Sequence, residues 1–558
     1  MKFTLSWLKE HLDTEATVEE IAETLTRIGL EIEEVFDPAT ALKAFRVAEV
    51  VKADKHPDAD KLQVLEVDTG KERLQVVCGA PNARAGMKGV FAPVGTYVPG
   101  LDFTLTKAKI RGVESNGMMV SEKELELSDA HTGIIELPAK AKVGSAAAKV
   151  LGLDDAVFDI AITPNRPDCL GVRGVARDLA AAGLGKLKKD TIKPVKGGFD
   201  NPVAIKLDFA KETKDACSIF AGRLVRGVKN KQSPDWLQRR LKAIGLRPIN
   251  ALVDITNYIA YDRARPLHVY DADKLSGAIR ARLGRQGEKL LALDGKTYEV
   301  DAEMCVIADE ARALGLGGVI GGEDTGCTEE TTNVFIESAY FDPKRTARTG
   351  RTLNIQSDAR FRFERGVDPE FVISGLELAT RMVLDLCGGA PSTVTVAGKT
   401  PRPNPPFRFD MTLIGRLSGL ALPHRDIRRK FLALGVKLEG KANVLKATPP
   451  PWRPDLTMGV DLVEEVVRLI GVDHIAPTPL PRLSGVARPV LTNAQARAKL
   501  VRRLLAARGF VESVTWSFVP LGEAKLFGGG QPELTLDNPI STELAQMRPS
   551  LLPGLISA

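Results

Sequence analysis

Four carboxylates with a regular spacing occur close together late in the chain. On a helix, Asp461 would share one face with Glu464 and Glu465, three and four residues on. Asp455 would cap the first turn of that helix. An oxygen-only ligand set of this kind suits Mg2+ or another hard cation better than zinc. The alternative is a solvated acidic face on which Glu464 pairs with Arg468.

A second group of chemically capable residues lies between residues 265 and 341. Glu337 occurs in an otherwise apolar segment, and His268 follows Arg-Pro-Leu. The glycine-rich segment 316–323 offers backbone N–H groups, around Gly318 to Gly322, that a reacting oxyanion can approach closely. Both side chains also have purely structural interpretations, since a lone histidine is often structural and a glutamate can end a strand.

Length and composition limit the class of protein. The 558 residues are enough for about three to five domains. There is no apolar run of membrane-spanning length and no secretory signal at the start, so we expect a cytoplasmic protein. Six widely spaced cysteines predict reduced thiols. The net charge of +6 is too small to diagnose nucleic-acid binding.

The first 200 residues change pattern twice. Residues 1 to about 39 show helical periodicity, with a capping signal at Thr17. Short alternating segments punctuated by glycine then predict a small closed barrel. Within it, Lys107, Lys109 and Arg111 alternate along one predicted strand, so their charges would share a face on which an RNA backbone could lie. A strand face that is merely solvated explains the pattern equally well.

Several motifs recur together in one protein family. They are H-P-D-A-D-K-L at 56–62, C-G-A-P-N at 78–82, S-N-G-M-M at 115–119, R-P-L-H-V-Y-D at 265–271, and the segments 316–323, 357–369 and 453–468. This combination resembles the beta subunit of bacterial phenylalanyl-tRNA synthetase. The acidic segment 453–468 then corresponds to the family's metal-binding helix, which implies Mg2+ at Asp455, Asp461, Glu464 and Glu465, completed by the alpha subunit.

The resemblance implies a multidomain α+β architecture. The expected domains are an N-terminal helical domain of residues 1–39 plus 152–190, an inserted OB-fold tRNA-binding domain at 40–151, a mixed α/β editing domain at 200–400, a winged helix-turn-helix domain with the acidic helix at 401–478, and the beginning of an inactive class II catalytic-like module at 485–558. Because the sequence stops inside that module, we expect a C-terminally truncated subunit. We interpret the basic helix near residues 424–435 as solvated rather than DNA-binding.

An editing site has a physical reason in such an enzyme. A pocket built for phenylalanine excludes tyrosine only weakly, by about a hundredfold, because an apolar pocket cannot strongly reject an added hydroxyl. Glu337 would recognise that hydroxyl through a hydrogen bond that phenylalanine cannot make. The residues that the resemblance assigns to the pocket are His268, Thr256, Asn257, Ser357 and Ala359. Ser357 stands where the family usually has threonine, which leaves the pocket width open.

The function implied for this chain is shared with a partner. ATP-dependent aminoacylation would take place in the alpha subunit of an alpha2beta2 heterotetramer. The beta chain would bind tRNA(Phe), hold the complex together and hydrolyse mischarged Tyr-tRNA(Phe). Two other functions fit the residues: a non-enzymatic tRNA-binding scaffold with a vestigial editing site, and a free-standing trans-editing hydrolase.

Overall fold

Two units of structure divide the chain, one of residues 1–476 and one of residues 477–558. The computed structural model describes residues 1–128, 130–402, 404–441, 443–481 and 489–558. Pro403 of the predicted 401–478 domain, Ala442 in the same domain, and residues 485–488 at the start of the predicted last module lie outside the described residues. Within the described ranges, none of the helices has the length and apolarity that a membrane span requires.

The first 41 residues alternate short strands and helices. They contain β1 (Lys2–Thr4), α1 (Leu5–His11), β2 (Leu12–Asp13), α2 (Val18–Arg27), β3 (Ile32–Phe36) and α3 (Pro38–Ala41). Thr17 and Glu20 form a reciprocal capping box at the start of α2, as the sequence predicts. The apolar face of α2 is buried through Ile21 and Leu25.

Residues 46–151 are rich in short strands. They contain β4 (Arg46–His56), β5 (Ala59–Asp68), β6 (Arg73–Cys78), β7 (Lys88–Ala92), β8 (Tyr97–Val98), β9 (Phe103–Thr104), β10 (Ala108–Ile110), β11 (Val113–Ser115), β12 (Met118–Met119), β13 (Glu136–Leu137) and α4 (Ala147–Leu151). Six of them form an antiparallel sheet in the order β12-β7-β4-β5-β6, with β13 also on β7. Buried residues such as Val90 and Leu65 belong to two separate apolar clusters of this segment.

The segment after residue 151 pairs with the first strands of the chain. This part contains β14 (Val157–Ile160), α5 (Val172–Ala182) and β15 (Lys186–Leu187). β14 lies between β1 and β3 and is antiparallel to both, while β15 pairs with β2. Phe3 stacks on Phe158 at a centroid distance of 5.3 Å. Residues 1–36 and 157–187 therefore share one fold although the strand-rich segment separates them in sequence.

Residues 205–398 form two five-stranded sheets and one two-stranded sheet, flanked by helices. Their elements are β16 (Ile205–Asp208), β17 (Cys217–Arg226), α6 (Asp235–Ala243), α7 (Ala251–Arg263), β18 (His268–Asp271), β19 (Ile279–Leu283), β20 (Glu288–Leu291), β21 (Thr297–Val300), β22 (Cys305–Ala308), β23 (Ala313–Leu316), β24 (Ile320–Gly321), β25 (Asn333–Phe341), α8 (Pro343–Thr352), α9 (Asp358–Phe363), α10 (Phe371–Cys387), β26 (Ala390–Pro391) and β27 (Thr395–Gly398). One sheet has the order β18-β25-β17-β26, with β27 also on β17, and the other has the order β16-β19-β22-β23-β24.

β25 is buried on both faces, which explains its nearly continuous apolar sequence. Phe335 and Ala339 pack in the same apolar cluster as Ile307 of the second sheet. The alternate residues Val334 and Ile336 belong to the cluster that includes α7 and α10. Because side chains alternate along a strand, Glu337 lies on the face that looks toward the second sheet.

The rest of the chain is divided between the two units. Residues 407–470 contain β28 (Phe407–Asp410), α11 (Thr412–Ser418), α12 (His424–Leu434), β29 (Lys437–Glu439), β30 (Val444–Thr448) and α13 (Gly459–Ile470), with a sheet in the order β28-β30-β29. The second unit contains α14 (Asn493–Ala507), β31 (Phe518–Val519), α15 (Leu521–Leu526), β32 (Gln546–Met547) and α16 (Leu552–Ser557), and β31 pairs with β32.

Candidate active site

Glu337 lies in the middle of β25 and is directly opposite residues of both neighbouring strands. Its partners across the ladder are Gly222 on β17 and His268 on β18. The residue is 6% exposed, as its apolar sequence context predicts. A carboxylate in such a place loses most of its hydration, so its remaining hydrogen bonds decide its charge.

The carboxylate of Glu337 accepts one hydrogen bond, from a neighbouring phenol. The Tyr270 hydroxyl donates to Oε2 at 2.6 Å, and in the described part of the chain Glu337 forms no ion pair. Burial raises the pKa of Glu337 to about 7, although the hydrogen bond from Tyr270 acts in the opposite direction. The group therefore titrates near neutral pH, which is unusual for a glutamate and typical of functional carboxyls.

His268 contributes a neutral imidazole to the same place. Its ring meets the Tyr270 ring edge-on at a centroid distance of 4.5 Å. Burial lowers the pKa of His268 to about 4, so the ring carries no charge at neutral pH. Its Nε2 is buried and has no hydrogen-bond partner among the described residues. A neutral ring nitrogen of this kind can hydrogen-bond a water or an ester.

A small cavity of about 70 Å³ joins these side chains to a glycine-rich turn. Residues that line it include His268, Tyr270, Glu337, Gly318, Ala359 and Phe363. Gly318 has a φ of +73° and is the third residue of the tight turn between β23 and β24, a position that favours glycine. Its own N–H makes no hydrogen bond to a described residue, so it remains available as a donor.

Gly321 is required by the close approach of His268. A Cβ at this position would lie 2.8 Å from Nε2 of His268, closer than two such atoms approach. The absence of a side chain at Gly321 therefore makes room for the imidazole.

The other predicted pocket residues divide into two groups. Ala359 lines the cavity, whereas Thr256, Asn257 and Ser357 do not. The Thr256 hydroxyl donates to the carbonyl of Val253 within α7. The Ser357 hydroxyl donates to the carbonyl of Val319 at 2.5 Å and accepts from the N–H of Arg360. Ser357 thus ties the start of α9, and with it Ala359, to the glycine-rich turn.

Tyr270 is the residue of this site that sequence reasoning missed. The only signal was its position, two residues after His268 on the same strand, which places both side chains on one face. Its diagonal contact with Glu337 depends on the register between β18 and β25, and the sequence does not contain that register.

The second predicted site is arranged differently from the expectation. Glu465 is 2% exposed and accepts hydrogen bonds from Arg453 and Arg468 through both of its oxygens. Both oxygens of Asp455 also accept from Arg453, at 2.8 and 2.7 Å. Burial is the largest single influence and opposes ionisation of Glu465, but the hydrogen bonds and charges of the two arginines together outweigh it and lower the pKa of Glu465. Arg468 also pairs with Asp178, and not with Glu464 as the solvated-face alternative expected.

The remaining two acids point elsewhere. Asp461 caps α13, where one oxygen accepts from the N–H groups of Thr457 and Met458. Glu464 is exposed and forms no ion pair with a described residue. The structure therefore does not bring Asp455, Asp461, Glu464 and Glu465 together around one point. Because guanidinium groups already neutralise two of them, the four carboxylates in this arrangement do not fit a Mg2+ site.

A guanidinium also occupies the one close group of metal-type ligands among the described residues. Asp168, Cys169 and Asp178 bring ligand atoms within 4.8 Å of one another. Arg166 donates to all three side chains. This cluster is a buried ion-pair network that joins α5 to the segment before it.

The predicted basic strand is interrupted by a turn. Only Lys109 lies within β10, and Lys107 precedes it and pairs with Glu114. Arg111 and Gly112 form the two-residue turn between β10 and β11, with φ values of +44° and +88°. Arg111 donates to the carbonyl of Asp58. The prediction that the three residues alternate on one strand was wrong, because a hairpin turn needs the left-handed conformation at Arg111.

Four family models match successive parts of the chain. They are the putative tRNA binding domain at residues 45–146, the B3/4 domain at 216–388, the tRNA synthetase B5 domain at 405–472 and the phenylalanyl tRNA synthetase beta chain CLM domain at 477–558. The cavity that contains Glu337 and His268 lies within the B3/4 match.

Curated relatives are similar over the whole chain. The "Phenylalanine--tRNA ligase beta subunit" of Mesorhizobium japonicum is 55% identical, covering 100% of this chain and 69% of the relative. That of Paramagnetospirillum magneticum is 54% identical, covering 100% of this chain and 70% of the relative. The chain belongs to the phenylalanine--tRNA ligase beta-subunit family. It is therefore a component of an aminoacyl-tRNA synthetase, as the motifs predict.

Membership in this family confirms the mixed α+β multidomain organisation. A solved N-terminal fragment of the phenylalanyl-tRNA synthetase beta subunit from Pyrococcus horikoshii covers 84% of this chain and 99% of that chain, at 14% identity and a TM-score of 0.36. That score is too low to compare domain arrangements.

Proposed function

We propose that this beta-subunit chain removes tyrosine from mischarged Tyr-tRNA(Phe) at the cavity around Glu337. The observation that carries the proposal is a buried glutamate with one carboxylate oxygen free of hydrogen bonds to described residues. A tyrosyl phenol would donate to that oxygen, and phenylalanine has no hydrogen to offer there. The buried acceptor would be left unsatisfied by phenylalanine, which is the stronger form of discrimination.

Hydrolysis of the ester needs a water and a place for the developing negative charge. The neutral His268 would hydrogen-bond and orient the water through its free Nε2. The Gly318 N–H would stabilise the oxyanion. Ser357 would act indirectly, by fixing the position of Ala359 against the cavity.

The remaining parts have assembly and tRNA-binding roles in this proposal. The 40–151 region acts as an OB-fold tRNA-binding domain, the 401–478 region as a winged helix-turn-helix domain, and residues from 485 as part of a catalytic-like module. An alpha subunit in a cytoplasmic alpha2beta2 complex carries out ATP-dependent aminoacylation.

Deacylation assays test the proposal. The chain, alone and with its alpha subunit, is mixed with preformed Tyr-tRNA(Phe) or Phe-tRNA(Phe), and loss of each ester is followed. We expect faster loss of the tyrosyl ester than of the phenylalanyl ester, and a Glu337→Ala variant should lose about 10- to 100-fold of that preference. Loss of Tyr-tRNA(Phe) no faster than in buffer would refute the proposal.

A further inference from the structure

Tyr270 places a phenol inside the protein on the same carboxylate that would receive the phenol of the substrate. Its hydroxyl donates to Oε2 of Glu337 at 2.6 Å, and Oε1 accepts nothing from a described residue. Both tyrosine and glutamate are buried, at 1% and 6% exposure. A carboxylate has acceptor sites on both oxygens, so one phenol on Oε2 leaves Oε1 for another.

We propose that Tyr270 is a positioning residue for editing specificity, which holds Glu337 by Oε2 and keeps Oε1 as an anionic acceptor for a substrate phenol. This inference rests on the proposed editing function. The diagonal register of β18 and β25 fixes Tyr270 relative to Glu337 independently of any ligand. The edge-on contact with His268 restrains the Tyr270 ring from the side.

The titratable groups around Glu337 determine how much the Tyr270 hydroxyl contributes to the charge of the carboxylate. The titratable groups that face Glu337 are His268 and Tyr270 on β18, Cys217 on β17 and Cys305 on β22. Burial raises the pKa of both thiols, to about 12 for Cys305, and His268 is neutral, so none of them supplies a positive charge at neutral pH. The phenol is therefore the one group among the described residues that stabilises the carboxylate as an anion.

A Tyr270→Phe variant tests this role through its pH profile. A hydrogen bond to a charged group is worth about one to two pH units, so the apparent pKa for Tyr-tRNA(Phe) deacylation should rise by about that amount. The ratio of variant to wild-type rate should be about 0.1 or lower at pH 6 and return to within about twofold of unity at pH 9. The buffer rate is subtracted from both rates before the ratio is taken, which removes the spontaneous alkaline hydrolysis of the ester.

Tyr340→Phe is the matched control, since Tyr340 also lies on β25 but does not line the cavity. Its rate ratio should stay flat with pH. In a Glu337→Gln background, adding Tyr270→Phe should leave the pH profile unchanged, and melting curves report whether each variant is folded.

The outcomes separate the two proposals. A wild-type protein that hydrolyses Tyr-tRNA(Phe) with preference, combined with a Tyr270→Phe ratio that is flat across pH, overturns the role of Tyr270 alone. A wild-type protein without that activity overturns the editing function and this inference together. A Tyr270→Phe effect that persists in the Glu337→Gln background would overturn the role of Tyr270, because the effect would then not depend on the carboxylate.

Discussion

Two glutamates of this chain are buried to a similar extent, and their surroundings treat the negative charge in opposite ways. Glu465 is 2% exposed and is surrounded by the guanidinium groups of Arg453 and Arg468. Glu337 is 6% exposed and has only the Tyr270 phenol. The pKa of the first is lowered and that of the second is raised to about 7. Similar burial therefore says nothing about charge until the partners are known.

The difference distinguishes a structural acid from a reactive one. Two guanidinium groups satisfy Glu465 completely: it pairs with Arg453 and with Arg468 of its own helix, and Arg468 in turn pairs with Asp178 on α5. Glu337 keeps an unused oxygen beside a cavity and an imidazole. Functional carboxyls are usually of the second kind, because a group with all its partners in place has nothing left to offer a ligand.

The largest expected effect comes from breaking the arginine network. Arg453→Ala would remove the donor to both oxygens of the half-buried Asp455 and one of the two arginines on the buried Glu465, so the free energy of unfolding should fall by about 3 to 5 kcal/mol at pH 7 in urea denaturation. Glu465 has a lowered pKa when folded, so this contribution is present above about pH 4.5 and is lost as the pH falls further. The control Glu464→Ala should change stability by no more than about 0.5 kcal/mol. Equal effects of the two substitutions would contradict the network.

Glu337→Gln should change the stability in the opposite sense: it should stabilise the protein at high pH, where Arg453→Ala destabilises it. The pKa of Glu337 is raised in the folded state from 4.5 to about 7, so ionisation destabilises the fold as the pH rises through that interval. We expect the variant to be more stable than wild type by up to about 3 kcal/mol at pH 8, with the difference disappearing below about pH 5. Urea denaturation at both pH values measures this. A stability difference that does not change with pH would show that the carboxyl is not perturbed.

Crowding the imidazole is the next smaller perturbation. Gly321→Ala places a methyl group against His268, and overpacking of this kind costs about 1 to 3 kcal/mol. Displacement of the ring from the cavity should lower the rate of Tyr-tRNA(Phe) deacylation at temperatures where the melting curve shows that the variant is still folded. Gly198→Ala is the control, because the nearest atom to its added Cβ is 3.8 Å away. Full deacylation activity in Gly321→Ala would remove His268 from the mechanism.

The smallest effect is expected from metal removal. Since Arg453 and Arg468 already neutralise Asp455 and Glu465, treating the isolated chain with EDTA should leave its melting temperature unchanged. Adding Mg2+ back should also have no effect. A rise in melting temperature with Mg2+ that Glu464→Ala abolishes would show that the carboxylates rearrange around a cation.

Local features of this fold were predictable from sequence, and long-range pairings were not. The capping box at Thr17 and the burial of Glu337 follow from neighbouring residues. The acidic helix was also correctly placed, but its arginine partners include Arg453 from outside the helix, and Arg468 reaches Asp178 far away in sequence. The spacing of acids alone therefore suggested a cation where the fold supplies guanidinium groups.

The same limit applies to the candidate site. His268 and Glu337 are 69 residues apart in sequence, yet they are opposite each other in the β18–β25 ladder. The family motifs indicated both residues, but only the register shows that Tyr270 reaches the carboxylate diagonally. On the basic hairpin, alternation predicted a strand through Arg111, whereas Gly112 next to it signals a turn.

The sheet formed by β1, β14 and β3 has a consequence for how the protein folds. The chain leaves this sheet at Phe36 and re-enters it at Val157, and these two residues are cross-strand partners. Closing such a long loop carries an entropic cost, which falls if the intervening residues have already folded and hold their two ends side by side. Early folding of residues 46–151 would therefore speed formation of the N-terminal sheet. Replacing them with a flexible linker of equal length should slow refolding more than replacing them with a tight turn.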